Sequence, residues 1–536
     1  MKLSNEGLKN RAEWEAKGYQ LPQYDREKMV AATKENPFWL HFGAGNLFRA
    51  FHAKAAENML CDGTLDRGIT AVISPDYEVY EKHYLAHDTL GIVATLKADG
   101  SIEKKVVGSV AEAVPYDSAN EEHFGRLKEI FAKDSLQLAT FTITEKGYSI
   151  VNPDGSYKTD VAADFEAGPE KPVSYMGKLT ALLYERYKAG QLGMALVSTD
   201  NCSHNGDILK AAVLPIAKAW SENGKADVGF ATYVDSEKLA FTWSMIDKIT
   251  PRPDKAVEAM LTEDGVEDLE PVLTKRGTPI ALFVNAEEAE YLVIEDNFPN
   301  GRPALEKGGL MFTEKETVDK VEKMKVCTCL NPLHTALAVL GCVLGHTKIS
   351  EEMKDPELKA LVEVIGYKEG LPVVVNPGIL DPKEFIDTVL TVRIPNPFMP
   401  DTPQRIATDT SQKLPIRFGE TIKAYAASDE LNVADLKCIP LVFAGWLRYL
   451  MGVNDAGETF ELSGDPMHDT VCPIVAGIKL GEEADIETIV EPILSNAKIF
   501  GVNLYEVGLA DTVIKYFREM LAGPGAIRET LKKYVY

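Results

Sequence analysis

Apolar residues follow two rhythms along this chain. Between residues 37 and 288, short runs of aliphatic, aromatic and β-branched side chains recur: "FWLHF" at 38–42, "GITAVIS" at 68–74, "LQLATFT" at 136–142, "LGMALVS" at 192–198 and "VGFATYVD" at 228–235. Stretches with helical spacing separate them, among them "EEHFGRLKEIFAKD" and "GKLTALLYERYKAG". Strands alternating with helices of that length predict βαβ units and a mostly parallel sheet. After "VIEDNFPNGRP" the rhythm changes. Residues 320–380, 415–452 and 485–536 carry helical periods, as in "LKCIPLVFAGWLRYLMGV" and "GLADTVIKYFREMLAG". The pattern predicts a polar helical extension over 1–36, an α/β domain over 37–288 and a mostly helical domain over 289–536.

Length and composition agree with two domains: 536 residues exceed what one core serves, and 45% hydrophobic with 26% charged residues is ordinary for a globular chain. The formal charge of −24 argues against a nucleic-acid partner, because a phosphate backbone requires a basic face. An anionic substrate would have to find local arginines and lysines within that field. The apolar run "TALAVLGCVLG" is too short to span a bilayer, and the first twenty residues lack the apolar stretch of a signal peptide, which points to the cytoplasm. Seven scattered cysteines, an odd number, suit reduced thiols.

Candidate chemistry begins at "FWLHFGAGNLFRAFHAKAAENML", a strand, a glycine turn and a helix with Leu47, Phe51, Ala55 and Met59 on one face. Gly43 and Gly45 match the first two glycines of G-x-G-x-x-G, which admit a tight turn and a pyrophosphate at a helix N-terminus. Phe48 stands where the third glycine would be, and a plain strand–helix turn reads the same way. The next strand ends in Ser74-Pro75-Asp76. An acidic residue there holds the ribose 2′-hydroxyl of NAD and repels the 2′-phosphate of NADP; it is equally a helix cap. The cofactor candidates are Gly43, Gly45, Asn46, Phe48 and Asp76, in a Rossmann-type domain.

"STDNCSHNGD" follows the strand "MALV", at the carboxyl end where doubly wound sheets bind ligands. Cys202 and His204 lack the second Cys/His pair of a zinc site, so no metal is expected. "SMIDKITPRPD" sets Asp247 and Lys248 before a proline-bounded loop, as an ion pair or a cofactor-edge contact. "RIPNPFMPDTPQRIATDTSQKLPIRF" carries Arg405, Lys413 and Arg417, able to bind a carboxylate or polyol, or to remain solvated on a connector. In "EKMKVCTCLNPLH", Cys327-x-Cys329 lacks the spacer of a redox or zinc C-x-x-C. A lysine, an asparagine and a histidine instead cluster before an apolar helix. A buried lysine with depressed pKa serves as general base and an asparagine amide steadies an alkoxide, which suits dehydrogenation of a secondary alcohol.

These stretches, with "TITEKGY" and "VIEDNFPNGRPALEK" between them, resemble in content and order the polyol-specific long-chain dehydrogenases, the family of mannitol 2-dehydrogenase and fructuronate reductase. The resemblance runs from about residue 37 to 420 and implies a metal-independent, NAD(P)-linked enzyme that is a monomer or small oligomer. It implies Lys325 as general base, Asn331 and Asn201 as oxyanion donors, His334 as orienting group, Glu322 on the proton path, and Arg405 and Lys413 on the substrate. Lys248 stands where the family has arginine. Lys325 lies six residues before Asn331, where the family has five; an extra residue bulged out of "VCTC" would reconcile the two. The expected substrates are D-mannonate and D-fructuronate with NAD, then mannitol/fructose or tagaturonate. The different-class alternative is an inactive NAD-binding regulator.

Overall fold

A computed structural model describes residues 1–275, 277–399 and 401–536. They form two compact units, Met1–Lys97 with Ser101–Asp319, and Ala98–Gly100 with Lys320–Tyr536.

The first unit is built on six parallel strands: β1 (Trp39–Phe42), β2 (Ile69–Ile73), β3 (Val110–Pro115), β4 (Leu138–Phe141), β5 (Met194–Ser198) and β6 (Leu239–Thr242). Their spatial order is β3-β2-β1-β4-β5-β6. That is the doubly wound dinucleotide-binding order, with its switch point between β1 and β4. The strands are apolar on both faces because both are covered. On one face Leu40, Phe42, Val72 and Leu196 pack with residues of the helices α1 (Glu121–Phe131), α2 (Tyr175–Lys188) and α3 (Asn205–Glu222). On the other, Trp39, Ile69, Ala71 and Val197 pack with Phe51 and Met59 of the helix after β1.

The sixth strand is not where the apolar run placed it. "VGFATYVD" forms the short helix Phe230–Val234. Phe230, Tyr233 and Val234 are spaced i, i+3, i+4 and bury one side against α3. The strand is the next segment, Leu239–Thr242. The 1–36 extension includes a two-residue strand, Tyr19–Gln20, paired to Ile102–Val107. Residues 289–319 belong to the first unit, since Tyr291–Glu295 pairs antiparallel with Ser244–Asp247 and parallel with Met311–Thr313.

The second unit is helical. Its core surrounds α4 (Asn331–Leu344), with α5 (Cys438–Leu450), buried along its whole length, and α6 (Ala510–Met520). α4 ends a helical run that starts at Lys315. By length and composition that run could cross a bilayer, more than the short apolar stretch alone suggests, but 78% of its most apolar window is buried inside the protein, as in a core helix.

Candidate active site

The turn after β1 is shaped by the strand beside it. Gly43 sits at φ +92° with its N–H on Val72 O (3.0 Å), and a Cβ there would lie 2.2 Å from Thr142 O of the β4 loop. Only glycine meets both demands. Gly45 donates to Gly43 O (2.7 Å), and a Cβ on it would meet nothing closer than 4.0 Å. This open cradle under a helix start fits a dinucleotide pyrophosphate. Asn46 accepts from Arg49 (3.2 Å), whose buried guanidinium also donates to Ala281 O (2.7 Å) and meets His83 Nε2 at 2.8 Å. Phe48 is fully buried and stacked on His41 at 4.1 Å, so its ring belongs to the core and only its backbone faces the turn. The helix widens into a π turn over Phe48–Ala53, accommodating the ring at the position where the usual fingerprint needs glycine.

Asp76, at the end of β2, is buried and accepts the Lys275 backbone N–H on one oxygen (2.7 Å). That hydrogen bond aims the carboxylate, which could hold a ribose hydroxyl.

At the end of β5, Asn201 lies exposed in the loop that opens α3. Asn205 anchors this loop from inside: its amide donates to Ser198 O (3.0 Å), Asp200 O (3.1 Å) and Ser244 O (3.0 Å), and its Oδ1 accepts from Ser244 N (2.9 Å). His204 is engaged as a structural group. Its ring stacks on Trp243 at 4.0 Å and its Nε2 lies 3.2 Å from Asp319. Lys248 is engaged too, with its side chain fully buried and its Nζ on Glu287 O and Glu290 (both 2.5 Å).

In the helical unit the Lys325–Asn331 spacing has a definite explanation. The residues Lys325–Cys329 form a π turn, closed by Leu330 N on Lys325 O at 3.1 Å, between the helical segments Lys315–Met324 and α4. The extra residue is therefore a widened helical turn rather than a β-type bulge. Its cause is in the sequence: Pro332 has no N–H for Thr328 O, and its ring would collide with that carbonyl in a regular helix. An i→i+5 turn takes one more residue than an α turn to return to the same face, so it absorbs the insertion. Lys325 is buried at 4% exposure; Asn331 and His334 are half-buried in the first turn of α4. Glu322 is one turn before Lys325 on the same run.

Arg417 joins this group. It donates to Thr335 Oγ1 (2.6 Å) and Asn331 O (3.4 Å), and burial pushes its guanidinium down to about 10. Lys413, pushed down to about 8 by burial and by Arg417 and Arg405, donates to Ile406 O (2.8 Å) and Thr408 O. Arg405 is 70% exposed and forks onto Asp401 with two 2.6 Å bonds. Asn331, His334 and Arg417 are thus gathered around one helix start, while Arg405 is occupied by a neighbouring carboxylate. Arg49, Asn205 and Lys275 went unnoticed in the sequence, because anchors that work through buried or backbone hydrogen bonds have no motif of their own.

Sheet order, glycine cradle and buried lysine define the class, a nicotinamide-dinucleotide-linked dehydrogenase with a Rossmann-type domain followed by a helical one. Within that class the chain belongs to the mannitol dehydrogenase family. Residues 38–307 match the mannitol dehydrogenase Rossmann domain and 317–520 the mannitol dehydrogenase C-terminal domain. The chain is 50% identical to the D-mannonate oxidoreductase of Thermotoga maritima, over 100% of this chain and 99% of that one. Among solved structures, a D-sorbitol dehydrogenase matches with a TM-score of 0.76 at 24% identity, covering 96% and 97% of the two chains. Pseudomonas fluorescens mannitol 2-dehydrogenase, in a complex with NAD and D-mannitol, matches at 0.68 and 24%, covering 99% of each. Both share the fold.

Proposed function

We propose that this protein interconverts D-mannonate and D-fructuronate with NAD as the hydride carrier. The observation that carries the substrate is the half-identity, end to end, with a D-mannonate oxidoreductase. NAD is favoured over NADP because Asp76, fixed by Lys275 N, presents a carboxylate oxygen where a 2′-phosphate would be repelled.

A nicotinamide dinucleotide held at Gly43, Gly45 and Asp76 would supply the hydride-transfer chemistry at the carbinol carbon. Lys325, desolvated within its π turn, removes the hydroxyl proton in oxidation and donates it in reduction. Asn331 hydrogen-bonds the oxygen as negative charge develops on it and His334 orients that oxygen; the resemblance to the family gives Asn201 the same donor role. Glu322, one helical turn away, carries the proton outward. Arg417, tied to Thr335 and to the Asn331 carbonyl, supplies positive charge beside Asn331 and suits the substrate carboxylate.

The test is NADH oxidation at 340 nm with D-fructuronate, D-tagaturonate and D-fructose in parallel. Turnover is expected on fructuronate; activity on fructose alone would reject the sugar-acid reading. Lys325→Ala should lower kcat by about 10²–10⁴-fold with NADH binding intact. Near-normal turnover in that variant would remove Lys325 from the mechanism.

A further inference from the structure

Asp200, one residue before the proposed oxyanion donor Asn201, is tied to a different loop. Its carboxylate is 8% exposed and accepts three hydrogen bonds: from Ile143 N (2.9 Å), Thr144 N (2.9 Å) and the Tyr148 hydroxyl (2.5 Å). Tyr148 is itself buried, with the Ser198 hydroxyl 2.7 Å from its oxygen. The carboxylate at the end of β5 therefore clamps the loop that leaves β4.

That loop is strained where it is clamped. Thr144 has φ +64° and ψ 159°, a region that is essentially glycine's, and a β-branched residue holds it only where its surroundings over-determine it. Two consecutive peptide N–H groups on one carboxylate supply that constraint. The same loop meets the glycine turn at its other end: Thr142 O lies where a Gly43 side chain would be, and Thr142 Oγ1 donates to Gly43 O (2.7 Å). The ends of three neighbouring strands, β1, β4 and β5, are thus joined in series. The Gly43 turn after β1 is set by Thr142, and Thr144 is set by Asp200, the neighbour of Asn201.

We propose that Asp200, seconded by Tyr148, is a positioning residue that fixes the distance between the cofactor turn at Gly43 and the oxyanion donor Asn201 by holding the β4 loop in its strained form. The inference rests on the reading of Asn201 as an oxyanion donor. The cofactor and the developing oxyanion must keep a near-attack separation, and a shift of about 1 Å costs on the order of 10²-fold in rate. A carboxylate suits this role because it accepts from both peptides and the phenol together; an asparagine side chain has a single acceptor oxygen.

The test compares Asp200→Asn, Tyr148→Phe, Asn201→Ala and the double variant Asp200→Asn with Thr144→Gly, using D-fructuronate and NADH. It measures kcat, KM, the primary isotope effect with 4-deuterated NADH and thermal unfolding. Asp200→Asn is expected to lose about 10–10²-fold in kcat, with KM changed less than about threefold and a larger isotope effect, because hydride transfer is what has slowed. Tyr148→Phe should lose less in the same sense. Glycine at 144 adopts the strained backbone without penalty, so the double variant should recover part of the lost kcat. A purely structural role would lower the unfolding temperature without raising the isotope effect, and glycine would restore nothing. That pattern, or kcat within twofold of wild type in both Asp200→Asn and Tyr148→Phe, overturns the proposal. Should Asp200→Asn fail to fold, Tyr148→Phe with the same readouts decides it. If Asn201→Ala also leaves kcat untouched, the oxyanion reading fails first; if it is impaired while Asp200→Asn is not, only the positioning role fails.

Discussion

Glu352 is a buried acid with no hydrogen-bond partner for either carboxylate oxygen among the described residues. Its Oε1 fills the space a side chain on Gly341 would occupy, beneath α4. Burial, then the charges of Asp355 and Asp401, push its carboxyl up to about 10 from an ordinary 4.5. The folded protein therefore keeps a proton that the unfolded chain releases above pH 4.5. The stabilising contribution is complete below that pH and is lost as pH rises toward 10, since the folded state binds more protons throughout. Urea unfolding free energies should fall from pH 6 to pH 9, this group contributing at most about 1.4 kcal/mol per pH unit. Glu352→Gln should flatten that slope and gain at least about 1 kcal/mol at pH 8. An unchanged slope in the variant would mean that the carboxyl is ionised in the fold. None of this is legible in "KISEEMKDP", where nothing in the residues themselves sets Glu352 apart from Glu351.

At the scale of elements, the π turn at Lys325–Cys329 carries the clearest consequence. It returns Lys325 and Asn331 to the relation they would have on a regular helix with one residue fewer. Deleting Val326 should therefore tighten the widened turn to an α turn, with Pro332 still ending that segment, and keep kcat within about tenfold, whereas inserting alanine after Val326 should cost about 10²-fold or more. If the deletion is as damaging as the insertion, the turn does more than restore register. The proline that provokes the turn is visible in the sequence as "LNPLH", but a missing N–H says only that the helix must change there. Whether the chain breaks, kinks or widens is settled by packing on both sides, where Met324, Cys329, Leu330 and Leu333 are all in the core. The misplaced strand at "VGFATYVD" has a related origin: a short apolar run reads equally as strand or buried helix until its neighbours are known.

For the molecule as a whole, the charge of −24 opposes both an anionic sugar acid and a dinucleotide. The screening length falls from roughly 30 Å at 0.01 M salt to roughly 8 Å at 0.15 M. Long-range repulsion should fade over that interval while contacts with a buried group such as Arg417 persist. The KM for D-fructuronate is expected to fall by about twofold between those salt concentrations, and the KM for uncharged D-fructose to stay flat. A KM for fructuronate that rises with salt would show that local basic groups, rather than the net charge, govern its approach.

The sequence by itself determined the two-part architecture, the strands β1, β2, β4 and β5, and the glycine turn. These depend on local periodicity and on single residues whose chemistry has few substitutes. Tertiary structure alone decided how Lys325 and Asn331 align, where the sixth strand lies, that Arg405 is taken by Asp401, and that Asp200 and Asn205 hold loops far from them in sequence. Each of those depends on what a buried polar group meets across the fold. A carboxylate or amide removed from water must find its hydrogen bonds wherever the packing presents them, and partners such as Ile143 N or Ser244 O are backbone atoms that every residue type carries.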